Sequence, residues 1–244
     1  MKLSEVPSTP PKILLYGPLG SGKTGLALSG GKKVQLIDLD MGIRTGLTLK
    51  DDWAKARMEA DVIPCYEDNP SRAYAYLKFK GYLEAIAQEC TKGTYPFKVL
   101  AIDSLTNWHE FCMRSILANS GQLGKPPQLQ HWGLRDVEFL NTLILLKSLP
   151  ICVIVTAHQA YTEVDSETVI NPDLPGKRLP NNMWSKFDEV LYMKPRLMPQ
   201  GKILFAVRNT STSGITVRTR SNFPDNFNAS SGLAALLKLI GYEI

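Results

Sequence analysis

Apolar positions along the chain fall into two alternating textures. Four short runs, residues 12–16, 34–39, 99–102 and 151–156, are continuously apolar and rich in Val, Ile and Leu. Runs of that length without polar alternation are how strands buried on both faces of a parallel sheet read. Between them, apolar residues recur at helical spacing. Tyr76, Phe79, Leu83, Ile86 and Cys90 share one helix face, as do Leu105, Trp108, Cys112 and Ile116. A third helical stretch covers about 134–147 and stops before Pro150. Strand and helix in alternation predict a doubly wound α/β fold with a mostly parallel sheet flanked by helices.

The texture changes after residue 185. Segments 189–193, 203–207 and 215–219 read as three more strands joined by turn-rich stretches, a hairpin-connected antiparallel extension of the sheet. Leu233, Leu236, Leu237 and Ile240, behind Ser231, predict a closing helix capped by Gly241. Residues 1–11 read as an extended lead-in. With no repeat and no linker, residues 1–244 are expected to form a single domain.

Composition adds little until charge is considered. The chain is 44% apolar and 21% charged, which is ordinary for a globular protein. No apolar run is long enough to span a bilayer, and the polar start does not read as a secretory signal. Cys65, Cys90, Cys112 and Cys152 form no CxxC pair, so reduced thiols and a cytoplasmic location are expected. The net charge of +5 is uneven, because residues 176–220 carry nine Lys or Arg against only Asp188 and Glu189. Such asymmetry points to a polyanion-facing surface.

The chemistry begins directly after the first apolar run. Residues 17–24 read GPLGSGKT, satisfying G-x-x-x-x-G-K-[ST] between a strand and a helix-capable stretch. In such a loop, glycines let successive N–H groups aim at phosphate oxygens, and the helix that follows adds its dipole. Gly17, Pro18, Leu19, Gly20, Ser21, Gly22, Lys23, Thr24 and Gly25 are therefore the expected cradle. Lys23 would reach the β/γ-phosphates and the Thr24 hydroxyl would bind Mg²⁺, with ATP as the nucleotide. Asp103 ends the run Val99-Leu-Ala-Ile102 and is placed in the metal shell beside Thr24. Asp38 and Asp40 end the second strand, where ligands of open α/β sheets bind. Asp40, lying beyond the strand, is preferred over Asp38 as the base that aligns water; the alternative is that both are turn residues. His158 and Gln159 follow the fourth strand and are candidates to touch the γ-phosphate, whereas His109 and His131 read as structural.

Taken together, GPLGSGKT, the acidic strand end IDLD, LAIDS and the polar tip TAHQ resemble the RecA/RadA recombinase core over most of the chain. PDLPGKRLP, FDEVLYM and VRTRSNFPD are similar to segments of the minimal phage-encoded single-strand annealing ATPases of that class. The resemblance implies a RecA-like P-loop ATPase, placed in the host cytoplasm if phage-encoded, that hydrolyses ATP and binds single-stranded DNA during recombination or annealing. It implies a homo-oligomer, ring or filament, and a single-strand-binding protein as a further partner. Asp40 matches the family's catalytic glutamate with a shorter side chain. The loop at 160–187 matches the family's mobile DNA-binding loop, and its Lys177, Arg178, Trp184 and Lys186 combine cations with an aromatic, as single-strand binding requires. Arg220, with Arg218 second, matches the late basic residues that reach a neighbour's γ-phosphate. From another class, a P-loop kinase acting on a small metabolite or nucleoside would also use this cradle.

Overall fold

Strands made of Val, Ile and Leu can be buried on both faces only if helices cover both, and the computed structural model has that arrangement. It describes residues 9–44, 52–164, 166–174, 183–197, 203–208, 214–221 and 224–244. In chain order these form β1 (Lys12–Gly17), α1 (Lys23–Leu28), β2 (Val34–Asp38), α2 (Ala54–Met58), β3 (Asp61–Pro64), α3 (Ala75–Lys92), β4 (Val99–Asp103) and α4 (Leu105–Asn119). There follow α5 (Leu129–Ser148), β5 (Cys152–Val164), β6 (Glu167–Pro172), β7 (Glu189–Leu197), β8 (Ile203–Arg208), β9 (Phe227–Asn228) and α6 (Gly232–Ile240).

The sheet runs β3-β2-β4-β5-β1-β7-β8-β9, with β6 paired to the far end of β5. Every pairing from β3 to β7 is parallel, and β7–β8, β8–β9 and β5–β6 are antiparallel. Side chains alternate between two cores. Leu14, Tyr16, Leu100, Ile102, Val153 and Val155 pack with α3, α4 and α5, whereas Ile13, Leu15, Val99, Ala101 and Ile154 pack with α1 and α6.

The first core centres on Trp108, fully buried between Phe79 and Phe139 at ring-centroid separations of 5.1 and 4.2 Å. The aromatic spacing on α3 is thus core packing. Termini are secured locally: Gly93 ends α3 in the left-handed conformation, and the Gln128 N–H donates to His131 Nδ1 at 2.9 Å to close the start of α5. At the strand beginnings, buried Lys12 donates from Nζ to the carbonyls of Pro10, Leu149 and Ile151 at 3.0, 2.9 and 2.7 Å, tying β1 to the entry of β5. Burial lowers the pKa of that ammonium.

Two expectations are corrected. Segment 215–219 is not a hairpin strand; Ile215 and Arg218 make only isolated bridges, to Ile170 and Val190, and the terminal strand is instead Phe227–Asn228. The expected hairpin of 189–193 with 203–207 is present as the antiparallel pair β7–β8, and β7 joins the sheet parallel to β1. The stretch 160–187 does not begin as an irregular loop, because β5 continues to Val164 and returns as β6 in an antiparallel ladder from Gln159↔Pro172 to Val164↔Glu167. Alternating Tyr161, Thr162, Thr168, Val169 and Ile170 supply the β-branched and aromatic pairs that such a ladder uses. Strand β3 and helix α2 went unpredicted because each is short and β3 is half-exposed.

Trp108 also carries a buried indole N–H without a partner. Replacing it with Ala should cost about 3–5 kcal/mol of stability. Trp108→Phe should cost clearly less, since a ring remains and the unpaired donor is gone. Urea unfolding midpoints would check this order.

Candidate active site

Parallel pairing brings the carboxyl ends of β1, β2 and β4, and the point at His158 where β5 leaves the parallel sheet, to one edge. Gly17 stands opposite His158 and Asp38 opposite Asp103. The chain after β1 then turns back as a loop before α1. Gly20 and Gly22 hold positive φ of 70° and 87°, the left-handed region that favours glycine. Gly17 is demanded by proximity, as a Cβ there would lie 1.9 Å from the Met193 carbonyl oxygen on β7.

Lys23 Nζ spans the loop, donating to the carbonyls of Gly17 and Pro18 at 3.0 and 2.9 Å and to Ser21 Oγ at 3.2 Å. The Thr24 hydroxyl donates to Asp103 Oδ2 at 2.6 Å, and the Thr156 hydroxyl donates to Oδ1 of the same carboxylate. Asp103 is buried, which raises its pKa against the lowering effect of those two hydroxyls. Hard oxygens from one hydroxyl and one carboxylate are the donor set that suits Mg²⁺, which keeps much of its water shell and takes few protein ligands. Among the described residues, no cluster of three or more His, Cys, Asp or Glu offers a different metal site.

The two acidic residues of β2 part company. Asp38 is fully buried; its Oδ1 accepts the N–H groups of Asp40 and Gly42 at 3.1 and 3.2 Å, while Oδ2 has no partner. Burial raises its pKa. Asp38 therefore shapes the turn that carries Asp40 out over the strand end. The Asp40 carboxylate receives Asn107 Nδ2 on Oδ1 at 2.7 Å and lies 3.4 Å, through Oδ2, from His158 Nε2. A cleft of about 470 Å³ is lined by Leu19 to Thr24, Asp40, Gly42, Asp103 and His158. A second hollow shares Gly22 with it and runs past Gly25 and Ser29, walled by Trp53, Met193 and Phe205.

The remaining sequence candidates lie elsewhere. Gln159 points to the opposite side of β5 from His158, accepting from the Tyr192 hydroxyl at 2.9 Å and donating to the Tyr161 hydroxyl at 2.6 Å, and it does not line the cleft. Arg220 Nη1 pairs with Asp188 Oδ1 at 2.9 Å, and Asp188 Oδ2 accepts the Lys12 N–H at 2.9 Å. This contact sits at the beginnings of β1 and β7, the edge opposite the cleft. Arg218 Nη1 donates to the Trp184 carbonyl at 3.0 Å in the same region. Trp184 and Lys186 form a single 3₁₀ turn just before β7, with the Trp184 ring half-buried against the core. Lys177 and Arg178 lie outside the described residues. His109 is a structural residue, as expected: it is held by Arg135, and burial together with that cation pushes it down to about 3. Asn107 was missed from sequence; it stands four residues beyond Asp103, in the first turn of the helix that leaves β4.

A family model described as an AAA domain matches residues 9–223 of the chain. The search of curated proteins returned no match.

Burial pulls the Lys23 ammonium down to about 8, against the Asp103 and Asp40 charges that raise it. A polyphosphate bound at the loop favours the charged form and raises the value in the complex. Affinity should therefore be insensitive to this group below about pH 8 and fall as pH rises above it, with a proton taken up on binding in that window. Calorimetry slightly above this pH, in two buffers of different ionisation enthalpy, would detect the uptake; its absence would separate Lys23 from the phosphates.

Proposed function

The chain belongs to the AAA domain family, a nucleotide-binding and nucleotide-hydrolysing one, and from that premise we propose that it is a Mg²⁺-dependent ATPase that binds single-stranded DNA during strand annealing or recombination. The observation that carries the hydrolytic reading is the Asp40 carboxylate standing across one cleft from Lys23, Thr24 and Asp103. In this reading the loop N–H groups and Lys23 hold the β/γ-phosphates, and the aromatic-walled hollow beside Gly22 receives the nucleoside. Thr24 and Asp103 would hold a hydrated Mg²⁺, which when bound draws off charge from the phosphate oxygens. Asp40, facing the cleft, orients a water and accepts its proton as the water oxygen attacks the terminal phosphorus and the bond to the leaving diphosphate oxygen breaks. His158, beside Asp40, is placed to meet the terminal phosphate.

The polyanion partner rests on the concentration of Lys and Arg in residues 176–220. Within the hairpin that precedes them, Glu163 and Glu167 are exposed near the tip, which disfavours a nucleic-acid backbone there and favours the segment beyond Pro172. A role for Arg220 in hydrolysis is open only through a second copy, since it stands at the far edge from its own cleft. The kinase alternative has no observation in its favour beyond the shared cradle.

Two measurements test the reading. Lys23→Ala should abolish hydrolysis, whereas Asp40→Asn should keep nucleotide affinity and slow single-turnover hydrolysis by about 10²–10⁴-fold, the usual worth of a positioned base. Full activity in Asp40→Asn would reject it as the base. Single-stranded DNA should stimulate turnover, and its affinity should fall with salt at a slope of about −0.7 per phosphate contact. Lys177→Ala with Arg178→Ala should flatten that slope by about one to two units; an unchanged slope would move the DNA site elsewhere.

A further inference from the structure

The first turn of α4 grips the tips of two strands that flank β4. On one side, Asn107 Nδ2 donates to the Leu39 carbonyl at 3.0 Å and to Asp40 Oδ1 at 2.7 Å. On the other, Thr106 Oγ1 accepts the His158 backbone N–H at 3.2 Å. Ser104 caps the same turn by accepting the Asn107 N–H at 3.5 Å. Adjacent residues of one helical turn thus hold the backbone of both strands that supply the acid and the histidine.

A short aspartate needs such a support. Its carboxylate is one methylene from the chain, with the Cα–Cβ and Cβ–Cγ torsions to fix, and Asp40 lies beyond the end of β2. One oxygen is taken by the Asn107 amide, the other faces His158. The amide is a neutral donor: it orients the carboxylate through one hydrogen bond and adds no positive charge beside it.

We propose that Asn107 is the positioning residue for Asp40, setting the plane of its carboxylate so that Oδ2, on the His158 side, is the oxygen that meets water. This rests on the reading of Asp40 as the base. Asn107 touches no reacting atom; it acts through the carboxylate. The ionisable groups around Asp40 are His158 on β5, Asp38 on β2, Asp103 on β4 and Lys23 on α1. None of these is altered by changing Asn107.

The test uses the full chain, single-turnover ATP hydrolysis and its pH profile. Asn107→Ala should bind nucleotide within about twofold of the parent and hydrolyse it on the order of 10²-fold more slowly, the usual effect of misplacing a reacting group by about 1 Å. Asn107→Asp, nearly isosteric, should shift the acid limb of the profile upward, because two carboxylates at this distance cannot both ionise freely. A merely structural Asn107 would lower the thermal midpoint of Asn107→Ala and leave its single-turnover rate, read below that midpoint, at the parental value; an unmoved acid limb in Asn107→Asp would show that residue 107 does not reach the carboxylate in solution, and overturns the proposal. If Asn107→Ala hydrolyses at the parental rate while Asp40→Asn is slow, the positioning role is overturned and the base stands. If Asp40→Asn hydrolyses normally, the base assignment falls, and the role of Asn107 with it. Should Asn107→Ala melt at the assay temperature, its single-turnover rate is read at a lower temperature where it is folded, and a parental rate there overturns the proposal.

Discussion

In-register parallel pairing of β1, β5, β4 and β2 is the constraint on which the site depends, since it delivers four strand ends to a single edge without any long-range search by loops. Gly17 and His158 face each other across one pair of strands, and Asp38 and Asp103 across another. A slip of one residue in any of these ladders would turn the cleft-lining side chains toward the opposite core. Register is protected by the two-sided burial of the strands: Leu14 and Ile13, or Val153 and Ile154, belong to different cores and cannot exchange places without exposing both. The hydrophobic pattern that specifies the fold and the geometry of the phosphate cleft are thus one property.

Residues that carry their chemistry in local sequence were legible. GPLGSGKT announces a phosphate loop because glycine, lysine and threonine at those offsets have few other reasons to occur together. That Asp103 and Asp40 reach the cleft was legible because strand ends can be read from apolar runs. The contacts of Asn107 and Thr106 were not, since they come from where α4 begins over neighbouring strands, and an Asn or Thr in a first helical turn is ordinary. The hairpin at 159–172 was hidden by Pro172 and by the expectation of an irregular loop, although its alternating residues are strand-like. The segment 215–219 misled in the opposite direction: it has strand composition, but Arg218 N–H and carbonyl find their partners on Val190 alone.

The molecule is polarised along its strands. Phosphate chemistry, with its buried carboxylates Asp38 and Asp103, occupies one edge of the sheet, while Arg220, Asp188, Trp184 and the buried Lys12 gather at the other. Lys12 anchors the strands at the edge opposite the cleft, using its ammonium on three carbonyls. The same residue type, buried to a similar degree, serves as a clamp on the backbone at one end and, as Lys23, as the cation of the phosphate loop at the other.

Gly17 bears on how motif positions are allowed to vary through evolution. Its missing side chain makes room for the Met193 carbonyl of the adjacent strand, whereas Gly20, with nothing within 4 Å of its absent Cβ, is free of any neighbour and answers only to its backbone angle. Two identical letters in one motif are therefore under selection from different sources. Drift at Gly20 would be limited by conformation, where Asn or Asp is the tolerable replacement. Drift at Gly17 would require a compensating displacement of β7, so that position and residues 192–194 are expected to co-vary across homologues even though one belongs to the nucleotide loop and the other does not.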